Sequence, residues 1–159
     1  ESVQFAEFKF SSVPARHFSG RAILDRFTTL WCGYVIETEN VKIYFSGDTG
    51  YDDQIFKEIG KKFGSIDLAL MECGQYNASW SQIHAMPEEV VIASQELNAK
   101  ILMPIHWGAF KLSLHNWEEP VVRMLKSAEN LGVTVITPKI GESFIIGESL
   151  PQSRWWEKA

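Results

Sequence analysis

Three strand-like runs of this chain end in the same way. Pro14-Ala15-Arg16-His17, Phe45-Ser46-Gly47-Asp48 and Met103-Pro104-Ile105-His106 each close on a single imidazole or carboxylate. Strand ends on one edge of a sheet converge, so a chain built this way gathers His17, Asp48 and His106 in one place. Two neutral nitrogens and one anionic oxygen are an ordinary donor set for zinc or a related divalent ion. Taken singly, each residue has a plainer explanation. Asp48 in Gly47-Asp48-Thr49-Gly50 suits an Asx turn, and His106 suits a hydrogen-bonded core position. Their common placement is what favours a shared site.

The surrounding pattern is one that can supply such an edge. Val3, Phe5, Phe8 and Phe10 alternate imperfectly as far as Val13 and predict one or two strands. Residues 30–37 and 41–45, rich in β-branched and aromatic side chains, flank Glu39-Asn40 and predict a hairpin. Beyond Asp48 the pattern changes to helix alternating with strand. Ile55, Phe56, Ile59 and Phe63 share a helical face between a cap at Asp52 or Asp53 and a stop at Gly64. A strand over 67–72 precedes a helix opened by Pro87, with Val90, Ala93 and Leu97 inward. A strand over 100–105 precedes a helix begun at Pro120, striped by Val121, Met124, Leu125, Ala128 and Leu131 and closed by Gly132. Strands over 133–136 and 143–146 are predicted to follow. Nothing in the sequence divides this into more than one domain. The expected architecture is α/β, with one mixed sheet and covering helices.

Composition narrows the partners. Twenty acidic and 15 basic side chains among 159 residues give a net charge of -5, so no broad cationic surface is available for nucleic acid. No apolar run approaches the roughly 20 residues that cross a bilayer, and the first residues lack the pattern of a signal peptide. Cys32 and Cys73 are too few for a disulfide framework; free thiols in a reducing compartment explain them, and a cytoplasmic location is expected. The chain enters a strand pattern directly from Glu1, as a piece of a longer protein would.

Residues 14–21, Phe45-Ser46-Gly47-Asp48-Thr49-Gly50-Tyr51 and Pro104-Ile105-His106-Trp107-Gly108 resemble successive motifs of the metallo-β-lactamase fold superfamily. The branch they most resemble is that of N-acyl-phosphatidylethanolamine-hydrolysing phospholipase D and its bacterial relatives. Ile59-Gly60-Lys61-Lys62-Phe63-Gly64 and His84-Ala85-Met86-Pro87-Glu88-Glu89 extend the likeness through nearly the whole chain. The resemblance implies that His17 helps bind one metal, Asp48 bridges two and His106 binds the second. It implies two zinc ions, with manganese or iron as alternatives.

The superfamily also carries an earlier His-x-His-x-Asp-His string, which this sequence lacks. The chain is therefore expected to be the C-terminal half of an αββα sandwich, with partial or no metal occupancy by itself. The inner face of its sheet should be exposed and bound by the N-terminal half or by a second copy.

A second relative within the superfamily, the tRNA 3′-processing endonucleases, implies that His84 is a general acid partnered by Glu72, which favours the protonated imidazole. The plain alternative is that His84 caps the Pro87 helix and Glu72 is a solvated strand end. Arg21 is a candidate for phosphate contact or an ordinary surface arginine, and His115 lines the pocket or packs at a helix start. Cys73 should lie buried near the site, and Trp155 and Trp156 should dock on the core or on a partner.

Two functions follow. The parent protein is a metal-dependent hydrolase, phosphodiesterase or phospholipase D-like, that attacks a small-molecule or lipid phosphodiester with a metal-bridging hydroxide. Asp48, His84 and Glu72 are then its catalytic residues, and esters, lactones or amides are further substrate classes. Alternatively the chain is a catalytically silent half-domain that serves as an assembly module. Single-stranded nucleic-acid binding through the six tryptophans ranks third, because no basic groove accompanies them.

Overall fold

The computed structural model describes residues 1–20, 22 and 24–158. The alternation at the N-terminus resolves into two strands, β1 (Ser2–Phe5) and β2 (Phe8–Val13), paired antiparallel. The predicted hairpin is β3 (Gly33–Glu37) with β4 (Lys42–Phe45); its first strand starts later than the apolar run, leaving Leu30 exposed. There follow α1 (Asp53–Phe63), β5 (Leu68–Glu72), α2 (Pro87–Glu96), β6 (Leu102–Ile105) and α3 (Glu119–Leu131).

Local chemistry sets the helix limits. The Asp52 carboxylate accepts from the N–H groups of Gln54 and Ile55, and Gly64 ends α1. Pro87 opens α2, where Glu89 reaches back to the Met86 N–H at 2.8 Å. Gly132 closes α3 in the left-handed conformation. Leu131 departs from the expected stripe: it stands 44% exposed at the last turn of α3.

The six strands lie in sequence order in one mixed sheet, antiparallel from β1 to β4 and parallel from β4 to β6. α1 and α2 are the crossovers that parallel pairing requires. The expected mixed sheet with covering helices is thus present. Because β2 and β4 run the same way as β5 and β6, the C-terminal ends of these four strands share one edge.

Two predicted strands are corrected. Residues 133–136 make only an isolated bridge, in which Leu102 N–H donates to Thr134 O and Ile136 N–H donates to Leu102 O. The ladder stops because Thr137 N–H turns to Pro151 O and Pro138 has no N–H to offer. Residues 143–146 form no strand; Phe144 and Ile146 instead pack their side chains against the buried cluster of Leu68, Ile101 and Ile136.

The core lies between the sheet and the helices, where Val35, Tyr44, Ala69, Met71 and Leu102 face Phe56, Ile59, Val90, Leu97 and Met124. The 3₁₀ turn Trp155–Lys158 docks here too. Trp155 and Trp156 each lie 5.3 Å from Trp107 between ring centroids, and Trp156 is buried, so of the two expected destinations it is the core that takes them. No helix among the described residues is long and apolar enough to cross a membrane.

Candidate metal centre

The shared strand edge does what the sequence spacing requires. His17 follows β2, Asp48 follows β4, Glu72 ends β5 and His106 follows β6. His17, Asp48, His84 and His106 line one cavity of about 480 Å³. His106 Nε2 lies 3.5 Å from Asp48 Oδ1, and the His84 ring stacks on His106 at 5.6 Å and meets the edge of His17 at 5.3 Å. Among the described residues, two groups place their donor atoms within 4.8 Å of one another: His17 with Asp48 and His84, and Glu72 with His84 and His106. His84, set apart in the sequence as an acid, therefore belongs to both groups.

Two of the imidazoles are held by outer partners. His17 Nδ1–H donates to Phe18 O at 2.8 Å, because a carbonyl can only accept, and this leaves Nε2 with its lone pair for a cation. Phe18 stacks flat on the same ring at 4.8 Å. His84 Nδ1 is 2.6 Å from Glu72 Oε2, which leaves its Nε2 available. Nitrogen and carboxylate donors with outer partners on two of the rings fit a divalent metal in chemistry and in number of nearby atoms.

Glu72 is not the solvated strand end of the plain alternative. It is 1% exposed, its Oε1 accepts from Ala85 N–H at 2.9 Å, and its own N–H donates to Ser46 Oγ. Burial pushes its carboxyl well above the usual carboxylate range, and the nearby Asp48 charge adds to the rise. Burial likewise lowers the pKa of His84 against a smaller upward pull from Asp48. A dry setting thus disfavours charge on both partners and works against the expected pull of Glu72 toward the imidazolium. Burial, assisted by the other two histidines, also lowers His106 against the pull of Asp48.

His106 stands at φ 63°, an unusual backbone conformation for an imidazole residue. Its carbonyl presses on Gly74, where an added Cβ would sit 2.1 Å from His106 O. Only glycine fits there. The turn after β6 and the turn after β5 are thus locked together directly behind the donors.

The remaining sequence candidates divide. His115, expected at the pocket, is buried with both ring nitrogens engaged and does not line the donor cavity. Its Nε2 accepts from Gln75 N–H at 2.9 Å, its Nδ1–H donates to Asn116 O, and its ring stacks on Tyr76. Cys73 is buried beside Glu72, and burial pushes its thiol up. Arg21 lies outside the described residues. Sequence reasoning missed Arg26, Gln75, Trp80 and Leu112, all of which line the cavity. Gln75 carried the one available signal, since it stands just past the strand that ends in Glu72.

Comparison with known proteins agrees with this geometry. The family described as a beta-lactamase superfamily domain matches residues 1–107. An uncharacterized protein of Mycobacterium tuberculosis is 42% identical over 159 residues, covering 98% of this chain and 42% of its own length. The mitochondrial N-acyl-phosphatidylethanolamine-hydrolyzing phospholipase D of Saccharomyces cerevisiae is 38% identical over 126 residues, covering 77% of this chain and 27% of that protein. Igni18, a metallo hydrolase of Ignicoccus hospitalis, superposes with a TM-score of 0.68 at 19% identity, covering 91% of this chain and 57% of that one. The chain thus spans less than half the length of these two curated relatives.

Proposed function

The chain belongs to the beta-lactamase superfamily domain family, and on that premise we propose that the longer protein carrying it is a metal-dependent hydrolase of phosphodiester bonds. The observation that carries this reading is the meeting of His17, Asp48, His84 and His106 at one strand edge, with a buried carboxylate behind them. The name of the yeast relative, a phospholipase D, supports a phosphodiester, whether in a small molecule or in a lipid. Free cysteines suit a reducing compartment, and we place the protein in the cytoplasm.

In this mechanism His17, Asp48 and His106 hold divalent metal, with two zinc ions as the expected complement. Metal bound there would supply an activated water near neutral pH and positive charge toward the attacked phosphoryl group. Asp48 contributes the anionic oxygen at the centre of the cluster. Glu72 Oε2 fixes the His84 ring through Nδ1, and His84 Nε2 delivers the proton to the departing oxygen. Burial of that ring makes its protonated form a stronger acid. The phenyl ring of Phe18 and the Phe18 carbonyl hold His17 in one orientation.

Three donors fall short of two metal sites that each want about four. We propose that the rest of the longer protein supplies the missing donors and covers the open side of the sheet. The alternative, an assembly module without activity, draws its support from the same side, where Val3, Phe5 and Tyr34 are exposed.

The deciding experiment loads the segment and the longer protein with zinc or manganese, measures bound metal, and follows hydrolysis of bis(p-nitrophenyl) phosphate. Hydrolysis by the longer protein, lost on His106→Ala and on chelation, is the expected result. Full metal occupancy without hydrolysis of phosphodiesters, carboxylic esters or lactones would leave the assembly module standing.

A further inference from the structure

Residues 108–118 return from β6 to α3 without helix or strand of their own. Backbone of that kind has no ladder to hold it, and its polar groups must find partners elsewhere. One side chain supplies most of them. Gln75 Nε2 donates to Phe110 O at 2.7 Å, while Gln75 Oε1 accepts from Leu112 N–H at 2.8 Å and from Ser113 N–H at 3.0 Å. The main chain of Gln75 is equally committed, giving its N–H to His115 Nε2 and taking Trp80 Nε1–H on its carbonyl. Gln75 itself is buried at φ 63°, a conformation that persists in a glutamine only where the surroundings fix it.

This network has a directed result. It holds Leu112 at the wall of the donor cavity, where it remains 78% exposed and shares the lining with His17, Trp80 and Ile83. A leucine that lines a cavity without being covered by the protein offers apolar surface to whatever enters.

We propose that Gln75 is a positioning residue that seats segment 110–113, making Leu112 an apolar wall of the metal centre, and that the site selects substrates with an alkyl group beside the hydrolysed ester. The amide is suited to this task because it donates and accepts at once. Glutamate at this position keeps the bonds from Leu112 and Ser113 but cannot donate to Phe110 O. Alanine leaves all three backbone groups without a partner.

The inference rests on the hydrolase reading for the metal, but its test reads binding and needs no turnover. Alkylphosphonates from methyl to hexyl are titrated into the zinc-loaded full-length protein by calorimetry. In the wild type, affinity should rise about two- to fourfold for each added methylene until the wall is filled. Gln75→Ala should flatten that rise, and Gln75→Glu should fall between. Leu112→Ser should flatten it with the Gln75 network intact, which serves if Gln75→Ala fails to fold. Hydrogen exchange at the Leu112 and Ser113 amides should quicken at least tenfold in Gln75→Ala and stay unchanged in Leu112→Ser. A wild-type series with no rise, or a rise that survives Leu112→Ser, overturns the inference. A normal rise with no hydrolysis of any ester instead overturns the proposed activity alone.

Discussion

The two sides of the sheet are built from equally apolar residues and meet opposite fates. On the closed side Val35, Tyr44, Ala69 and Leu102 are wholly buried beneath helices that the chain itself provides. On the open side the register aligns Val3 with Phe10, Phe10 with Ile36 and Ile36 with Ile43, and Tyr34 with Phe45, Phe45 with Leu70 and Leu70 with Met103. The segment around Phe144 and Ile146 covers one end of this surface, packing with Ile43, Leu70 and Met103 against the buried Leu68, Ile101 and Ile136. Phe5, 71% exposed, and Tyr34 and Phe45 are left uncovered at the other. Apolar alternation reports that a face is meant to be buried; it does not say by what.

The largest expected effect tests this contrast directly. Leu102→Ala should cost about 2–5 kcal/mol of unfolding free energy in this chain and in the proposed longer protein alike, since its cover is internal. Phe45→Ser should change the segment by less than about 0.5 kcal/mol, as surface substitutions do. If the longer protein covers the open side, the same change there should cost about as much as Leu102→Ala. Urea unfolding of the four variants decides it, and a small cost of Phe45→Ser in both settings would remove the proposed cover.

At the edge where the two sides meet, Glu72→Gln should lower phosphodiester hydrolysis by the longer protein about 10- to 100-fold, because it disturbs the partner that orients His84. Turnover of bis(p-nitrophenyl) phosphate at matched zinc content measures this. His115→Ala, also buried but turned away from the cavity, should leave zinc affinity unchanged.

A smaller effect concerns an imperfection on the closed side. Among the described residues the Tyr44 hydroxyl has no hydrogen-bond partner, and burial pushes its pKa upward. Tyr44→Phe should therefore stabilise the protein by about 1 kcal/mol in thermal or urea unfolding.

The smallest effect is on the tie between the covering helices, where Arg123 grips Glu88 in a two-pronged fork at 2.9 and 2.7 Å. Burial opposes ionisation of Glu88, but the Arg123 fork outweighs it and holds the carboxyl below its ordinary value. A lowered folded-state value adds stability that is present above the ordinary carboxylate range and fades as pH falls through the lowered one. Arg123→Met should erase this part of the acid dependence and cost at most about 1 kcal/mol at neutral pH, the groups being partly exposed.

Much of this was legible residue by residue. Asp52, Gly64, Pro87 and Gly132 bound their helices as local chemistry requires, and the strand-end positions of His17, Asp48 and His106 anticipated their meeting. What escaped was of another kind. Residues 133–136 and 143–146 have the composition of strands, yet a proline and a competing acceptor stop one and side-chain packing claims the other. His84 and His115 look alike as isolated histidines; one turns into the cavity and the other latches a loop. The role of the Gln75 side chain follows from no local motif, because the partners of its amide lie 35 to 38 residues away.

The sequence by itself determined the periodicities, the caps and the residues able to hold a cation, since each depends on neighbours within a turn or a strand. Tertiary structure alone decided which imidazoles share a cavity, that Glu72 lies dry behind one of them, and that Gln75 fastens a distant loop. Those outcomes depend on strand direction and register, which bring together atoms that no local pattern connects.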